Sequence, residues 1–199
     1  MAVGNASNKV AVSTDGISWT SAPSKTAQTQ YDAIYPSGLN SFISVGDNGT
    51  IEASVSGTSG ASWVSLNSPT TNRLYAITYD SGNDLYVVVG DSGTILTSSN
   101  ATSWTSRTSG TTVRLYDVAY GNGKFVVVGR DGTILTSSDG TTWTSQTSGI
   151  TSYIRSVTYS NSHSLFVAVG SYGRILTSSD GITWTSQISV TNNYLRAIF

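Results

Sequence analysis

At four points along the chain an arginine and a tyrosine stand two residues apart: Arg73/Tyr75, Arg114/Tyr116, Tyr153/Arg155 and Tyr194/Arg196. A fifth equivalent position offers Tyr31 with Thr29. A guanidinium presents a planar fork of donors that matches a carboxylate, and a phenol ring presents a face on which sugars and guanidinium groups stack. Side chains two apart on a strand share a face, so each pair projects to one side. The order reverses between the second and third pairs, which lets an Arg of one strand meet a Tyr of the next. Two uses are open to such a set. Arg–Tyr stacks can fill a narrow axis, or a ring of aromatic and cationic groups can bind a glycan or an acidic partner.

Residues for catalysis are scarce. Glu52 is the single glutamate, so a paired Glu/Glu glycosidase site is impossible, and no motif supports an Asp pair. His163 is the single histidine and falls in the turn segment Ser160–Ser164, where a solvated turn role is expected. Asp47, Asp91 and Asp131 read as turn residues. Cysteine is absent, which removes thiolate and disulfide chemistry. The Gly-x-x-Gly pairs join strand to strand, so no phosphate-cradling loop is present. The expectation is a protein that is not an enzyme, with no catalytic residues, no metal and no cofactor.

Composition narrows the partners. Ten Lys and Arg balance eleven Asp and Glu, giving a net charge of −1, so no long-range field draws in nucleic acid. Charged residues make up 11%, against about 25% in an average globular protein, and Ser, Thr, Gly and Asn take their place. No run approaches the roughly 20 apolar residues of a membrane helix. The start, Met1–Asn5, lacks the basic and apolar regions of a signal peptide.

The elements that must position the Arg/Tyr pairs are written as a repeat. Trp19, Trp63, Trp104, Trp143 and Trp184 recur at intervals of 39–44 residues. Within Arg114–Trp143, Leu115–Tyr120 reads as a first strand and Gly121–Gly123 as a hairpin turn. Lys124–Gly129 (KFVVVG) follows as an apolar run that needs cover on both faces, with counterparts LYVVVG, LFVAVG and FISVG. Thr133–Ser137 is the third strand, Asp139-Gly140 a tight turn, and an outer strand carries Trp143. Short strands with glycine turns at a period near 40 predict an all-β, five-bladed β-propeller of four-stranded antiparallel blades. Residues 1–199 form one domain, with blades at about 1–24 plus 194–199, 29–68, 73–108, 114–147 and 153–188. Tyr194–Phe199 (YLRAIF) matches the first strand Tyr153–Thr158 (YIRSVT), and Met1–Gly4 matches the second-strand residues Val167–Gly170. The C-terminal strand is therefore expected to complete the N-terminal blade and close the ring, which removes exposed sheet edges. A fragment of a larger propeller, or exchange of the terminal strand between chains, is the competing arrangement; a monomer is favoured.

The segments Ser13–Trp19 (STDGISW), Ser137–Trp143 (SSDGTTW) and Ser178–Trp184 (SSDGITW) resemble the Asp-box, or bacterial neuraminidase repeat. With the preceding Val-Gly-x-x-Gly-Thr-Ile-Leu, the repeats are similar to those of the photosystem II assembly factor type of propeller, whose rings are larger. Spacing from Asp to Trp is one residue shorter than in the usual motif, Asn100-Ala101 replaces Asp-Gly, and Ser54–Ser62 has lost the Asp. The Asp is expected to bind backbone amides of its own turn. The resemblance carries over no sialidase arginine triad or Tyr/Glu pair.

Topology puts the Arg/Tyr pairs at the mouth of the axial channel, beside turns that contribute Asp47, Asn48, Asp91, Arg130, Asp131, Tyr172 and Arg174, and a loop that contributes Arg107. The candidate ligand-binding set is Tyr31, Arg73, Tyr75, Arg114, Tyr116, Tyr153, Arg155, Tyr194 and Arg196. The functional expectation is a non-catalytic recognition or structural module with a glycan or protein partner, suited by composition to a virion or cell-surface assembly. An assembly-factor-like docking propeller, a degenerate sialidase-like glycosidase and an engineered propeller without a ligand are the alternatives.

Overall fold

The computed structural model describes residues 9–13, 15–36, 38–54 and 63–199. Five antiparallel sheets follow one another along the chain. The first holds β1 (Lys9–Val12) and β2 (Thr20–Pro23). The second runs β3 (Gln30–Ile34), β4 (Ile43–Gly46), β5 (Ile51–Ser54) and β6 (Trp63–Leu66). The third is β7 (Leu74–Asp80), β8 (Leu85–Gly90), β9 (Ile95–Ser98) and β10 (Thr105–Arg107). The fourth is β11 (Leu115–Gly121), β12 (Lys124–Gly129), β13 (Ile134–Ser137) and β14 (Thr144–Gln146). The fifth is β15 (Ile154–Ser160), β16 (Leu165–Gly170), β17 (Ile175–Ser178) and β18 (Thr185–Gln187). Each of these four-stranded sheets is a meander in chain order.

The apolar second strands explain how sheets stack. Val127 of β12 packs into a cluster with Val87, Val89 and Leu115, while its neighbours Val126 and Val128 pack with Ile154, Val157 and Phe166 of the fifth sheet. Successive side chains of β12 therefore serve opposite junctions, which is why no polar residue interrupts its run from Phe125 to Val128. Each such side chain, wholly buried, contributes roughly 1.5–3 kcal/mol. The first strands β3, β7, β11 and β15 stand side by side along the inner edge.

A one-turn helix joins second to third strand: Asp47–Gly49, Asp91–Gly93, Arg130–Gly132 and Ser171–Gly173. Its last residue must be glycine. Gly93 has φ +68°, and a Cβ there would drive into the carbonyl oxygen of Thr111 on the following loop.

Two expectations are adjusted. In the third to fifth sheets the fourth strand starts after the tryptophan, whereas β6 begins at Trp63: Trp143 precedes β14, with its indole Nε1 donating to the Gly140 carbonyl at 3.1 Å. Tyr194–Phe199 forms no ladder with β1 or β2 among the described residues, and Met1–Gly4 lie outside them. The segment nonetheless follows the path of a fifth inner strand. Gly173 N–H donates to Asn193 C=O at 2.7 Å, as Gly93 does to Val113. Leu195 N–H donates to Gly170 C=O at 3.0 Å, and Ile198 N–H reaches Ser156 Oγ at 3.3 Å.

Candidate functional site

A backbone irregularity positions the aromatic groups. In every four-stranded sheet the first strand slips register near its start, between Gln30 and Asp32, Leu74 and Ala76, Leu115 and Asp117, and Ile154 and Ser156. The residues skipped are Tyr31, Tyr75, Tyr116 and Arg155. A bulge swings its extra side chain out of the regular pleat, here toward the inner edge of the stack.

Those side chains form one continuous array. Ring centroids lie 5.2 Å apart for Tyr31–Tyr75, 5.9 Å for Tyr75–Tyr116 and 6.1 Å for Tyr116–Tyr153. Guanidinium groups interleave them: Arg73 lies 5.5 Å from the Tyr31 centroid, Arg114 5.3 Å from Tyr75, and Arg155 4.5 Å from Tyr116. Each Arg thus covers the tyrosine of the preceding sheet. The reversed order of the third and fourth pairs is not needed for that contact, since Arg73 and Arg114 make it in the unreversed order.

Carboxylates from the one-turn helices complete part of the array. Arg73 Nε pairs with Asp47 Oδ1, and Arg114 Nε pairs with Asp91 Oδ1 at 2.5 Å. Tyr31 OH donates to Asp47 at 3.3 Å. Burial pushes the Tyr31 and Tyr75 phenols up from their usual range, with the neighbouring carboxylates Asp47 and Asp91 adding to the effect. In the fourth sheet the equivalent helix brings Arg130 instead, 5.4 Å from the Tyr153 centroid and 3.5 Å from its own neighbour Asp131. In the fifth it brings Ser171, followed by Tyr172, whose ring lies 5.9 Å from Tyr194. Tyr153, Arg155, Tyr194 and Arg196 border one cleft of about 450 Å³ beside that helix. All nine residues of the candidate set therefore lie along one edge. Arg107 does not join them; it donates to Thr97 Oγ1 at 2.8 Å on the adjacent strand.

Beneath the tyrosines lie two carboxylates that sequence reasoning passed over. Asp32 accepts from Ile77 N–H at 2.9 Å, and Asp117 accepts from Ser156 Oγ at 2.7 Å and Val157 N–H at 2.9 Å. Each latches the first strand of one sheet to that of the next. Burial pushes Asp117 up to about 6, with the charge of Asp32 adding to the effect and its hydrogen bonds opposing it. Asp32 is raised for the same leading reason. The available signal was position, since both follow a tyrosine directly inside a strand pattern, where an Asp needs a backbone partner.

The other singled-out residues lie elsewhere. Glu52 is wholly buried and accepts from Ser24 Oγ at 2.8 Å and Thr26 N–H at 2.6 Å, which ties down the chain entering β3. His163 Nδ1 stays within its turn, 3.0 Å from the hydroxyls of Ser160 and Ser162. The Asp-box carboxylates sit in third-to-fourth-strand turns, at the opposite end from the array. Asp180 Oδ1 accepts from Thr183 and Ile182 N–H at 2.8 Å each, and these bonds hold it down at about 2. Asp15 is likewise held at about 2 by the amides of Ser18 and Ile17. Asn100 reproduces the pattern with neutral oxygen, accepting from Thr102 and Ser103 at 3.0 and 2.9 Å. The variant turn at Ser54–Ser62 falls almost wholly outside the described residues.

Solved structures with the same arrangement fix its class. "YCF48 bound to D1 peptide" superposes with a TM-score of 0.67 at 18% identity, over 99% of this chain and 63% of that one. The WD40 β-propeller domain of Doa1 superposes at 0.68 and 14% identity, over 85% of this chain and 57% of that one. The fold is that of a β-propeller. YCF48 from Cyanidioschyzon merolae gives 0.67 at 20% identity, over 88% of this chain and 61% of that one. The chain spans roughly three fifths of the length of these propellers. No protein-family model and no curated protein matches the sequence.

Proposed function

We propose that the protein is a non-catalytic recognition propeller that docks a glycan or protein partner on the Arg/Tyr array at the mouth of its axis. The observation that carries this reading is the array itself: seven of the candidate residues, from Tyr31 to Arg155, interleave across four blades. A hydrophobic core would not need guanidinium groups there, whereas a recognition face gains from both stacking and forked donors. A protein partner has one specific support, the YCF48 structure described as bound to a D1 peptide. Glu52 and His163 serve structural bonds in this reading, away from the array. We place Tyr194–Phe199 as the innermost strand of the first blade, closing five blades into one ring; amide protection of Leu195–Ile198 against hydrogen exchange matching that of β15 supports closure, and rapid exchange refutes it.

The functional test is a glycan and peptide array screen of the protein beside an Arg114→Ala/Tyr116→Ala variant. Binding that disappears in a variant still folded by circular dichroism supports the reading. Binding that persists undiminished, or no binding by the parent protein, contradicts it.

A further inference from the structure

The four blade junctions along the array can be compared position by position. At the junction of the second and third blades, a guanidinium (Arg73) lies between two tyrosines and is neutralised by Asp47. The next junction repeats this with Arg114, Tyr75, Tyr116 and Asp91. At both, the guanidinium finds its carboxylate within the protein, although clefts of about 490 and 460 Å³ lie beside them. The junction between the fifth blade and Tyr194–Phe199 inverts the pattern. Where the first two junctions place tyrosines it places Arg155 and Arg196, where they place arginine it places Tyr194, and where they place aspartate it places Ser171.

The inversion leaves unmet bonding. A cleft of about 450 Å³ opens between Tyr153, Arg155, Ser171, Tyr172, Tyr194 and Arg196. Ser171 is 2% exposed and its Oγ has no hydrogen-bond partner, a condition that costs free energy unless something else supplies the bond. The hydroxyl of Ser152, which also borders the cleft, is buried without a partner as well. Among the described residues the ion pairs are Arg73–Asp47, Arg114–Asp91 and Arg130–Asp131, so neither Arg155 nor Arg196 has a carboxylate.

We propose that this cleft binds a carboxylated sugar of the uronic acid class, whose carboxylate takes the place that Asp47 and Asp91 occupy at the filled junctions. This deepens the recognition reading and rests on it. The guanidinium forks of Arg155 and Arg196 suit the carboxylate. Tyr172 and Tyr194, with ring centroids 5.9 Å apart, offer faces for the sugar ring. The lining contains no aliphatic side chain that would anchor an apolar peptide residue, and the volume suits one or two sugar rings.

The test is calorimetric titration with D-glucuronate, D-glucose and a short acidic peptide, on the parent protein and on Ser171→Asp and Arg196→Ala variants. Ser171→Asp installs the carboxylate of the filled junctions, so it blocks the site from within while keeping the fold. The expected result is glucuronate affinity in the millimolar range typical of a single sugar. Glucose should not bind measurably, and affinity should fall at least tenfold in both variants with melting temperatures held. Glucuronate binding that survives Ser171→Asp, or glucose binding as well as glucuronate, overturns the proposal. Acidic peptide binding in place of glucuronate, lost on Ser171→Asp, overturns the sugar assignment. If glucuronate fails while array binding still depends on Arg114 and Tyr116, this proposal falls and the broader recognition reading stands.

Discussion

Asp47 and Asp91 each reach across a junction between sheets to an arginine, Arg73 and Arg114, while the corresponding turn of the β15–β18 sheet sets Ser171 and Tyr172 against Tyr194. Backbone geometry is shared: each turn has a left-handed residue followed by glycine, and the N–H of its first residue donates to the carbonyl of Thr29, Arg73, Arg114 or Tyr153 at the start of the same sheet. What differs is which side chain completes the charge balance. A repeat can therefore keep its scaffold constant and convert a self-satisfied junction into a receptive one by a few substitutions. The comparison also separates two roles for one residue type, since arginine locks blades together at the filled junctions and stands without a counter-ion at the open one.

The largest expected effects fall where the two regions are alike. Gly93→Ala and Gly173→Ala both force a Cβ against a loop carbonyl at positive φ, and each should cost about 2–4 kcal/mol in chemical denaturation. Unequal costs would show that the open junction is scaffolded differently. Glu52→Ala removes a buried carboxylate that accepts from Ser24 Oγ and Thr26 N–H and should cost about 2–3 kcal/mol, with no change at the open junction.

Smaller effects distinguish the regions. Asp47→Ala removes a partly exposed ion pair and should lower stability by about 0.5–1 kcal/mol, an effect that shrinks in high salt. The two classes of aspartate also pull opposite ways with pH. Asp15 and Asp180 sit below their unfolded range, so their contribution is full above about pH 4 and is lost as pH falls toward 2. Asp117 sits above its unfolded range, so the folded state binds the extra proton and gains stability as pH drops from 6 toward 4. Thermal melts should therefore peak between about pH 4 and 5, and Asp117→Asn should flatten the rise between 6 and 4 while leaving the acid limb unchanged.

The repeat was legible because it is written in residues that carry backbone meaning. Glycine after the second strand, the Asp-box turn and the apolar second strand each report one requirement, and the match of YLRAIF to YIRSVT located the inner path of the C-terminal segment. The array was legible only in part. Arg and Tyr two apart marked residues that the structure gathers into one array, but pleat alternation alone does not foresee a bulge at Tyr75 or Tyr116, and the bulge is what turns the rings toward one another. Asp117 escaped notice because an aspartate in a Ser/Gly-rich chain reads as a turn residue until a neighbouring strand supplies its donors. The significance of Ser171 lay in a pattern spread over the chain: the turns DNG, DSG, RDG and SYG lose their first aspartate where the Arg/Tyr order reverses.

Melting temperature and D-glucuronate affinity, measured side by side on Asp91→Ala and Ser171→Asp, test the contrast most directly. The filled junction should respond through stability, so Asp91→Ala should lower the melting temperature by roughly 2–4 °C and leave affinity unchanged. The open junction should respond through binding, so Ser171→Asp should hold the melting temperature and lose affinity at least tenfold. Two variants that behave alike in both measurements would contradict the account.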